Sequence, residues 1–191
     1  ANQPLLNLPV ESITLNSVVQ NTALGLAIDR PDDEFMPCFV RGSQILTPSG
    51  YRLVEHLKAG DLVETIDGGV KPLVWVGGKE VDGTGIFAPI RFAPGALGNK
   101  RALLVSPQHR MLISGWRAEM FFGEDEVLVA AKHLVNHDTI HVQPMRRVTY
   151  HHLLFDRHEV IFAEGLPSES FFPGPTILAE DADLHNEITS L

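Results

Sequence analysis

The sequence is short of several features that would identify a class of protein. It has one cysteine, Cys38, in 191 residues, so no disulfide can form within the chain, and its cellular compartment cannot be inferred from cysteine content. No apolar run approaches the roughly 18 residues of a membrane span. No charged start followed by an apolar core marks a signal peptide. We therefore expect a soluble chain whose localisation is unknown.

Basic residues are also few. The chain carries 15 Lys and Arg against 24 Asp and Glu, a formal net charge of −9, which argues against a nucleic-acid partner because a basic face is needed to neutralise phosphates. The stretch Lys58–Asp61 lacks the glycines of a phosphate cradle.

His133, His137 and His141 are spaced by fours, which suits a helix, but the segment is partly strand-like. We expect no metal and no cofactor.

A helical period is missing as well. Short apolar runs bounded by glycine and proline predict an all-β body. We expect Val70 to Val76 to form a strand that ends at Gly77-Gly78, Ile86 to Phe92 to form another, and His158 to Phe162 to form the last. These signals predict three parts: an N-terminal segment or arm over 1–37, a β domain over 38–172, and an acidic C-terminal tail over 173–191.

One internal repeat is present. His56-Leu57-x-x-x-Asp61-x-Val63 matches His133-Leu134-x-x-x-Asp138-x-Ile140 at an offset of 77 residues, and in each copy a short turn ends in an aspartate that precedes a strand. Coincidence explains four matched positions, and so does duplication of a β unit. Duplication predicts two similar units about an approximate twofold axis, with a cleft between them.

Cys38 lies where the uneven N-terminal segment meets the β body, so its thiol is placed to attack the peptide bond before it. A lone cysteine is more often a small buried hydrophobe. As a nucleophile it needs a base or a positive neighbour, and His109, three residues after Ser106, is a candidate. The plain interpretation of that pair is a turn serine beside a histidine. Asp156 and His158 share one face of a predicted strand.

Taken together, four ordered stretches resemble the Hint family, the self-processing fold of inteins and of the C-terminal part of hedgehog proteins. Cys38 to Ile45 is similar to the opening block, and Val54 to Val63 resembles the family's V-E-x-L-x-x-G-D-x-V stretch. Ser106 to His109 resembles the Thr-x-x-His block, and His158 to Gly165 resembles the closing block. The amino-acid sequence of these four stretches is most similar to that of bacterial Hint domains that are not inteins.

The resemblance implies a horseshoe of β-strands with internal pseudo-twofold symmetry. It also implies that the Cys38 thiol attacks the Pro37 carbonyl, so that an N-to-S acyl shift replaces the amide with a thioester. His109 is then the general acid for the departing Cys38 nitrogen, and Ser106 takes the part of the family's threonine. The weaker candidates for proton transfer in a later step are His158 and Asp156.

Glu169 and Ser170 stand where inteins end in His-Asn, so we expect N-terminal cleavage without splicing. The substrate is then the chain's own N-terminal segment, and the acceptor is a thiol, water or another nucleophile. Two alternatives stay open. One is a catalytically degenerate Hint fold that acts as a binding or structural module. The other is a cysteine hydrolase that acts on other molecules through Cys38, His109 and Asp156.

Overall fold

Short strands joined by tight turns make up most of the computed structural model, which describes residues 37–172. The strands are β1 (Phe39–Val40), β2 (Gln44–Thr47), β3 (Gly50–Leu53), β4 (Leu62–Thr65), β5 (Gly69–Pro72), β6 (Trp75–Gly83), β7 (Ile90–Phe92), β8 (Leu103–Val105), β9 (Arg110–Ser114), β10 (Glu126–Ala130), β11 (Ile140–Val142), β12 (Met145–Leu154), β13 (Val160–Ala163) and β14 (Leu166–Glu169).

The strands form two antiparallel sheets. The first has the order β11-β7-β8-β1-β12-β6, and the second has the order β10-β9-β14-β13-β2-β3, with β4 paired to β13 and to β5. Consecutive strands are often not neighbours, so β1, near the start of the body, is held between β8 and β12. The predicted all-β class is confirmed.

Strand β1 lies between two clusters of buried side chains. Successive strand residues face opposite sides, so Phe39 enters the main core with Phe92, Leu103 and Ile161. Burial of such side chains contributes about 2 kcal/mol each. Cys38 and Val40 instead belong to a smaller cluster with Val148 and Tyr150. The cysteine therefore lies on the face of the first sheet that is turned away from the main core.

The strand prediction around Gly77-Gly78 is wrong, because β6 runs through both glycines to Gly83. The strand instead breaks before Trp75, where β5 ends. A Cβ atom at Gly77 would overlap the Trp75 indole, and one at Gly78 would touch His151. The glycines therefore permit close approach within the strand rather than ending it.

Three other elements differ from the sequence prediction. The segment from Ile86 is a 3-10 turn over Gly85–Phe87, and only Ile90–Phe92 pairs as a strand. β13 is not the last strand, because β14 follows it after a tight turn at Gly165, where φ is +88°. A seven-residue helix, α1 (Trp116–Phe122), ends at Gly123, which has the left-handed conformation. The helix is too short for its hydrophobic period to be detected in the sequence.

The two copies of the repeat have similar local structure. Each is a short 3-10 turn, at Val54–His56 and at Ala131–Leu134, that leads to a strand. Leu57 and Leu134 are both buried, which gives the repeated leucine a packing role. Duplication of a β unit stays a prediction.

The predicted arm, except for Pro37, and the predicted tail over 173–191 lie outside the described residues. Within residues 37–172, no helix is long and apolar enough to cross a membrane.

Candidate active site

The pairing of β1 with β12 places Cys38 beside a histidine that is far away in sequence. Phe39 lies opposite His151 and Val40 opposite Tyr150, so the next position on each strand brings Cys38 to His152. The Cys38 Sγ atom lies 3.6 Å from both Nδ1 and Nε2 of His152. Both side chains are buried, with Cys38 6% and His152 7% exposed.

The same imidazole contacts the peptide bond before the cysteine. Nδ1 of His152 lies 3.3 Å from the carbonyl oxygen of Pro37, and a carbonyl oxygen can only accept, so the proton of that hydrogen bond is on Nδ1. In that tautomer Nε2 carries the ring lone pair and lies 3.6 Å from the Cys38 Sγ atom. One ring can therefore polarise the Pro37 carbonyl and accept the Cys38 proton.

Burial sets the charge states of both groups. Burial lowers the pKa of His152 to about 4, despite the opposing contact with the Pro37 carbonyl, so the ring is neutral and able to accept a proton at pH 7. Burial also raises the pKa of the Cys38 thiol well above its usual range, and the Ser106 hydroxyl opposes this only in part. The resting site thus holds a thiol beside a neutral base.

Ser106 hydrogen-bonds both backbone groups of Cys38, the N–H and the carbonyl. The Cys38 N–H donates to Ser106 Oγ at 3.1 Å, and the Ser106 N–H donates to the Cys38 carbonyl at 3.0 Å. The stretch from Ser106 to His109 is a tight turn, because the His109 N–H donates to the Ser106 carbonyl at 3.1 Å and Pro107 suits the second turn position. The turn therefore directs its serine hydroxyl at the nitrogen of the Pro37–Cys38 bond.

His109 lies on the core side of β1. Its ring packs edge-on against Phe39, with centroids 4.5 Å apart, and it is fully buried. Neither ring nitrogen has a partner at hydrogen-bonding geometry among the described residues, although the Cys38 backbone is close enough to raise the pKa. Burial lowers the pKa of His109 to about 4 and outweighs the Glu169 carboxylate and the Cys38 backbone, which both raise it.

Two aromatic rings enclose His152. Gly77 lies opposite His152 across the β6–β12 pair, and the space above Gly77 is filled by Trp75. The Trp75 ring stacks with the His152 ring at 6.4 Å between centroids, and the Phe171 ring lies 5.2 Å away. This apolar enclosure explains why the imidazole is held neutral.

A buried carboxylate completes the surroundings of His109. Glu169 is 1% exposed and accepts the backbone N–H of Arg110 at 2.9 Å and its guanidinium Nε and Nη2 at 2.8 Å. His158 Nε2 lies 3.3 Å from the same carboxylate. Burial alone would raise the pKa of Glu169, but the contacts with His158 and Arg110 outweigh it and lower the pKa.

The five sequence-predicted residues thus fall into three places. The structure brings Cys38 and Ser106 into contact and places the His109 ring against Phe39, on the core side of β1. His158 contacts Glu169, and Asp156 is exposed beside Arg157. The roles proposed for all five stay predictions.

Sequence reasoning missed His152. Strand alternation puts it on the face opposite His151, but nothing in the sequence specifies that β12 pairs with β1. Without that register, the thiol's neighbour could not be chosen among nine histidines. Among residues 37–172, no group of three or more histidine, cysteine or acidic side chains is arranged to hold a metal ion.

Comparison with solved structures finds similar folds at low identity. The intein-like domain from Clostridium thermocellum is 14% identical, with 71% of this chain and 98% of that chain covered and a TM-score of 0.47. A splice-inactive variant of the AceL NrdHF class 3 split intein is 16% identical, with 74% and 100% covered and a TM-score of 0.47. The gp41-1 intein is 10% identical, with 69% and 97% covered and a TM-score of 0.42.

No curated protein matches the chain. A family model described as a Hint domain matches residues 37–175, a range that begins at the residue before Cys38 and includes every strand described above. The chain therefore belongs to the Hint domain family.

Proposed function

We propose that this Hint domain cleaves its own chain at Pro37–Cys38 through an N-to-S acyl shift, without splicing. The convergence of three groups carries the proposal: the Cys38 thiol, the Pro37 carbonyl oxygen and one His152 ring that lies within 3.6 Å of the first and 3.3 Å of the second. The nucleophile, the electrophile and a base are thereby held together before reaction.

The first step forms a carbon–sulfur bond. The thiol proton moves to the lone pair of His152 Nε2 as sulfur attacks the Pro37 carbonyl carbon. The Nδ1–H of the same ring donates to the oxygen, where negative charge develops. A thiol with a raised pKa does not ionise by itself at pH 7, so its proton must be removed during attack.

The second step breaks the bond between the Pro37 carbonyl carbon and the Cys38 nitrogen. That nitrogen must gain a proton to leave as an amine, and Ser106 Oγ lies 3.1 Å from it. His109 is the proton donor in this account. Its ring is neutral at rest because burial lowers its pKa to about 4, so it takes up a proton from solvent before donating it, and His152 afterwards returns the thiol proton to solvent. Overall one proton passes from sulfur to nitrogen, and a thiol, water or another nucleophile then takes the acyl group.

The end of the fold favours cleavage over splicing. Glu169 and Ser170 occupy the positions where inteins have His-Asn, and both side chains are engaged. Glu169 binds Arg110, and the Ser170 hydroxyl accepts the Glu159 N–H at 2.9 Å. Neither residue has the amide side chain needed to cyclise and release a C-terminal segment.

The burial of Cys38 also bears on the alternative of a hydrolase that acts on other molecules. A thiol that is 6% exposed leaves little approach for an added peptide. The geometry therefore favours the chain's own carbonyl as substrate.

Incubation of the purified chain with dithiothreitol tests the proposal. We expect intact-mass spectra to show fragments of residues 1–37 and 38–191 that accumulate with time, while Cys38→Ala stays whole. Equal spectra for the two proteins after several days would reject self-cleavage and favour a binding or structural module. Repeated cleavage of added peptides would favour the hydrolase.

A further inference from the structure

Glu169 is a buried carboxylate that the acyl shift itself does not use. Three of its contacts come from Arg110, the residue that directly follows His109, and they join the backbone and the side chain of Arg110 to β14. The Arg110 backbone N–H is among them, so the carboxylate fixes the chain immediately after His109. A fourth contact comes from His158, whose Nε2 atom lies beside Glu169 Oε2, the oxygen that also accepts the Arg110 guanidinium.

His109 is an unusual buried histidine. It is fully buried, and neither ring nitrogen has a partner at hydrogen-bonding geometry among the described residues. A buried imidazole in apolar surroundings holds a proton poorly, since desolvation disfavours its charged form. A proton donor at this position needs a nearby negative charge to offset that cost.

We propose that Glu169 is a positioning residue for His109. Its carboxylate, held by Arg110 and His158, fixes the backbone next to His109 and supplies a negative charge that favours the protonated ring during the second step. This inference rests on the proposed self-cleavage. It gives a role to Glu169, which stands where inteins have the histidine of their C-terminal His-Asn pair.

The charged and titratable groups that face His109 come from three strands. Glu169 of β14 favours the protonated ring, as does the Cys38 backbone next to β1. Arg110 of β9 and His152 of β12 oppose it. His158 touches Glu169 rather than the thiol, so its effect on His109 passes through the carboxylate.

Histidine NMR on the full-length Cys38→Ala protein tests the inference without requiring cleavage. In this background we expect Glu169→Gln to move the His109 titration midpoint to lower pH by about one unit. Glu169→Asp, which keeps the charge, should retain most of the parent value. Glu159→Gln is the matched control, because Glu159 is also a buried carboxylate paired to an arginine, Arg157, and it should leave the midpoint unchanged.

A second readout uses the cleaving protein. With Cys38 present, Glu169→Gln should slow thiol-induced cleavage about tenfold at pH 7, whereas Glu159→Gln should stay within about twofold of the parent. An unchanged His109 midpoint in Glu169→Gln, or an equal shift in Glu159→Gln, would overturn the inference. Absence of cleavage in the parent would instead reject the proposed function and leave the NMR result to decide the role of Glu169.

If Glu169→Gln does not fold, the Cys38→Ala parent still gives a decision. The Glu169 carboxyl signal should then report the protonation of His109 as a separate step, because two interacting groups titrate as a coupled pair. A carboxyl signal with a single step, insensitive to His109, would contradict the inference.

Discussion

Cys38 must lose its proton to attack, and burial of its thiol opposes that loss. The raised pKa of the thiol and the lowered pKa of His152 have the same cause, the low polarity of a closed site. A neutral base directly beside the sulfur resolves the conflict, because no isolated charge has to exist before attack. The reactivity of this cysteine therefore depends on His152 more than on its own acidity.

Substitution of His152 tests that dependence. His152→Gln can still donate to the Pro37 carbonyl but cannot accept the thiol proton, so we expect thiol-induced cleavage at pH 7 to slow about 100-fold. His151→Gln is the matched control, since His151 is the adjacent residue on the opposite face of β12 and should alter the rate less than about twofold. Gel densitometry measures the cleavage rates. Equal rates for the parent and His152→Gln would remove His152 from the mechanism.

At the scale of elements, β6 and the turn before β9 position the reacting groups. The turn could be anticipated from Pro107 and from the Ser-x-x-His spacing, which needs only local sequence. The place of β6 could not, because Gly77 looks like a strand end unless the Trp75 ring that covers it is known. Local chemistry thus predicts turns, whereas close approach of two distant strands is a tertiary property.

Replacement of Gly77 measures how tightly β6 is packed. In Gly77→Ala the new methyl overlaps the buried Trp75 ring, so we expect a loss of about 2 kcal/mol in the free energy of unfolding. The ring should also move away from His152. Gly78→Ala provides the comparison, because its methyl meets the His151 ring at 3.0 Å, which can shift, and the Tyr150 carbonyl oxygen at an ordinary contact distance of 3.7 Å. Urea unfolding followed by tryptophan fluorescence should show the larger loss for Gly77→Ala.

On the scale of the whole molecule, two buried neutral histidines link stability to pH. The folded pKa of both His109 and His152 is about 4, against an unfolded value of 6.5. Between these values the unfolded chain binds more protons, so stability is fully present above about pH 6.5 and is lost as pH falls toward 4. His133 and His151 have pKa values lowered by burial, so they act in the same direction.

Urea titrations of Cys38→Ala at pH 7 and pH 5 check this linkage. Each of the two buried rings should cost about 2 kcal/mol of unfolding free energy over that interval. In the same background, His152→Gln should remove about half of the combined loss, while His56→Gln, at an exposed position, should leave it unchanged. An unfolding free energy that is the same at both pH values would contradict the burial of neutral histidines.

Much of the whole-molecule account could be predicted from residues close together in sequence. The all-β class, the position of Cys38 at the start of the domain and the Ser106–His109 turn follow from short motifs. His152 and Glu169 could not be placed in the same way, because each acts across a strand pairing with a partner more than 50 residues away, Cys38 at 114 and Arg110 at 59. Pairing register depends on the packing of whole sheets.

The mass of the released N-terminal fragment tests the central claim most directly. When the purified chain is treated with mercaptoethanesulfonate, an acyl shift at Cys38 predicts that residues 1–37 appear carrying the added thiol as a thioester. Residues 38–191 should appear with a new amino-terminal cysteine, and Cys38→Ala should yield neither species. An intact chain, or a fragment 1–37 that forms equally in Cys38→Ala, would contradict the account.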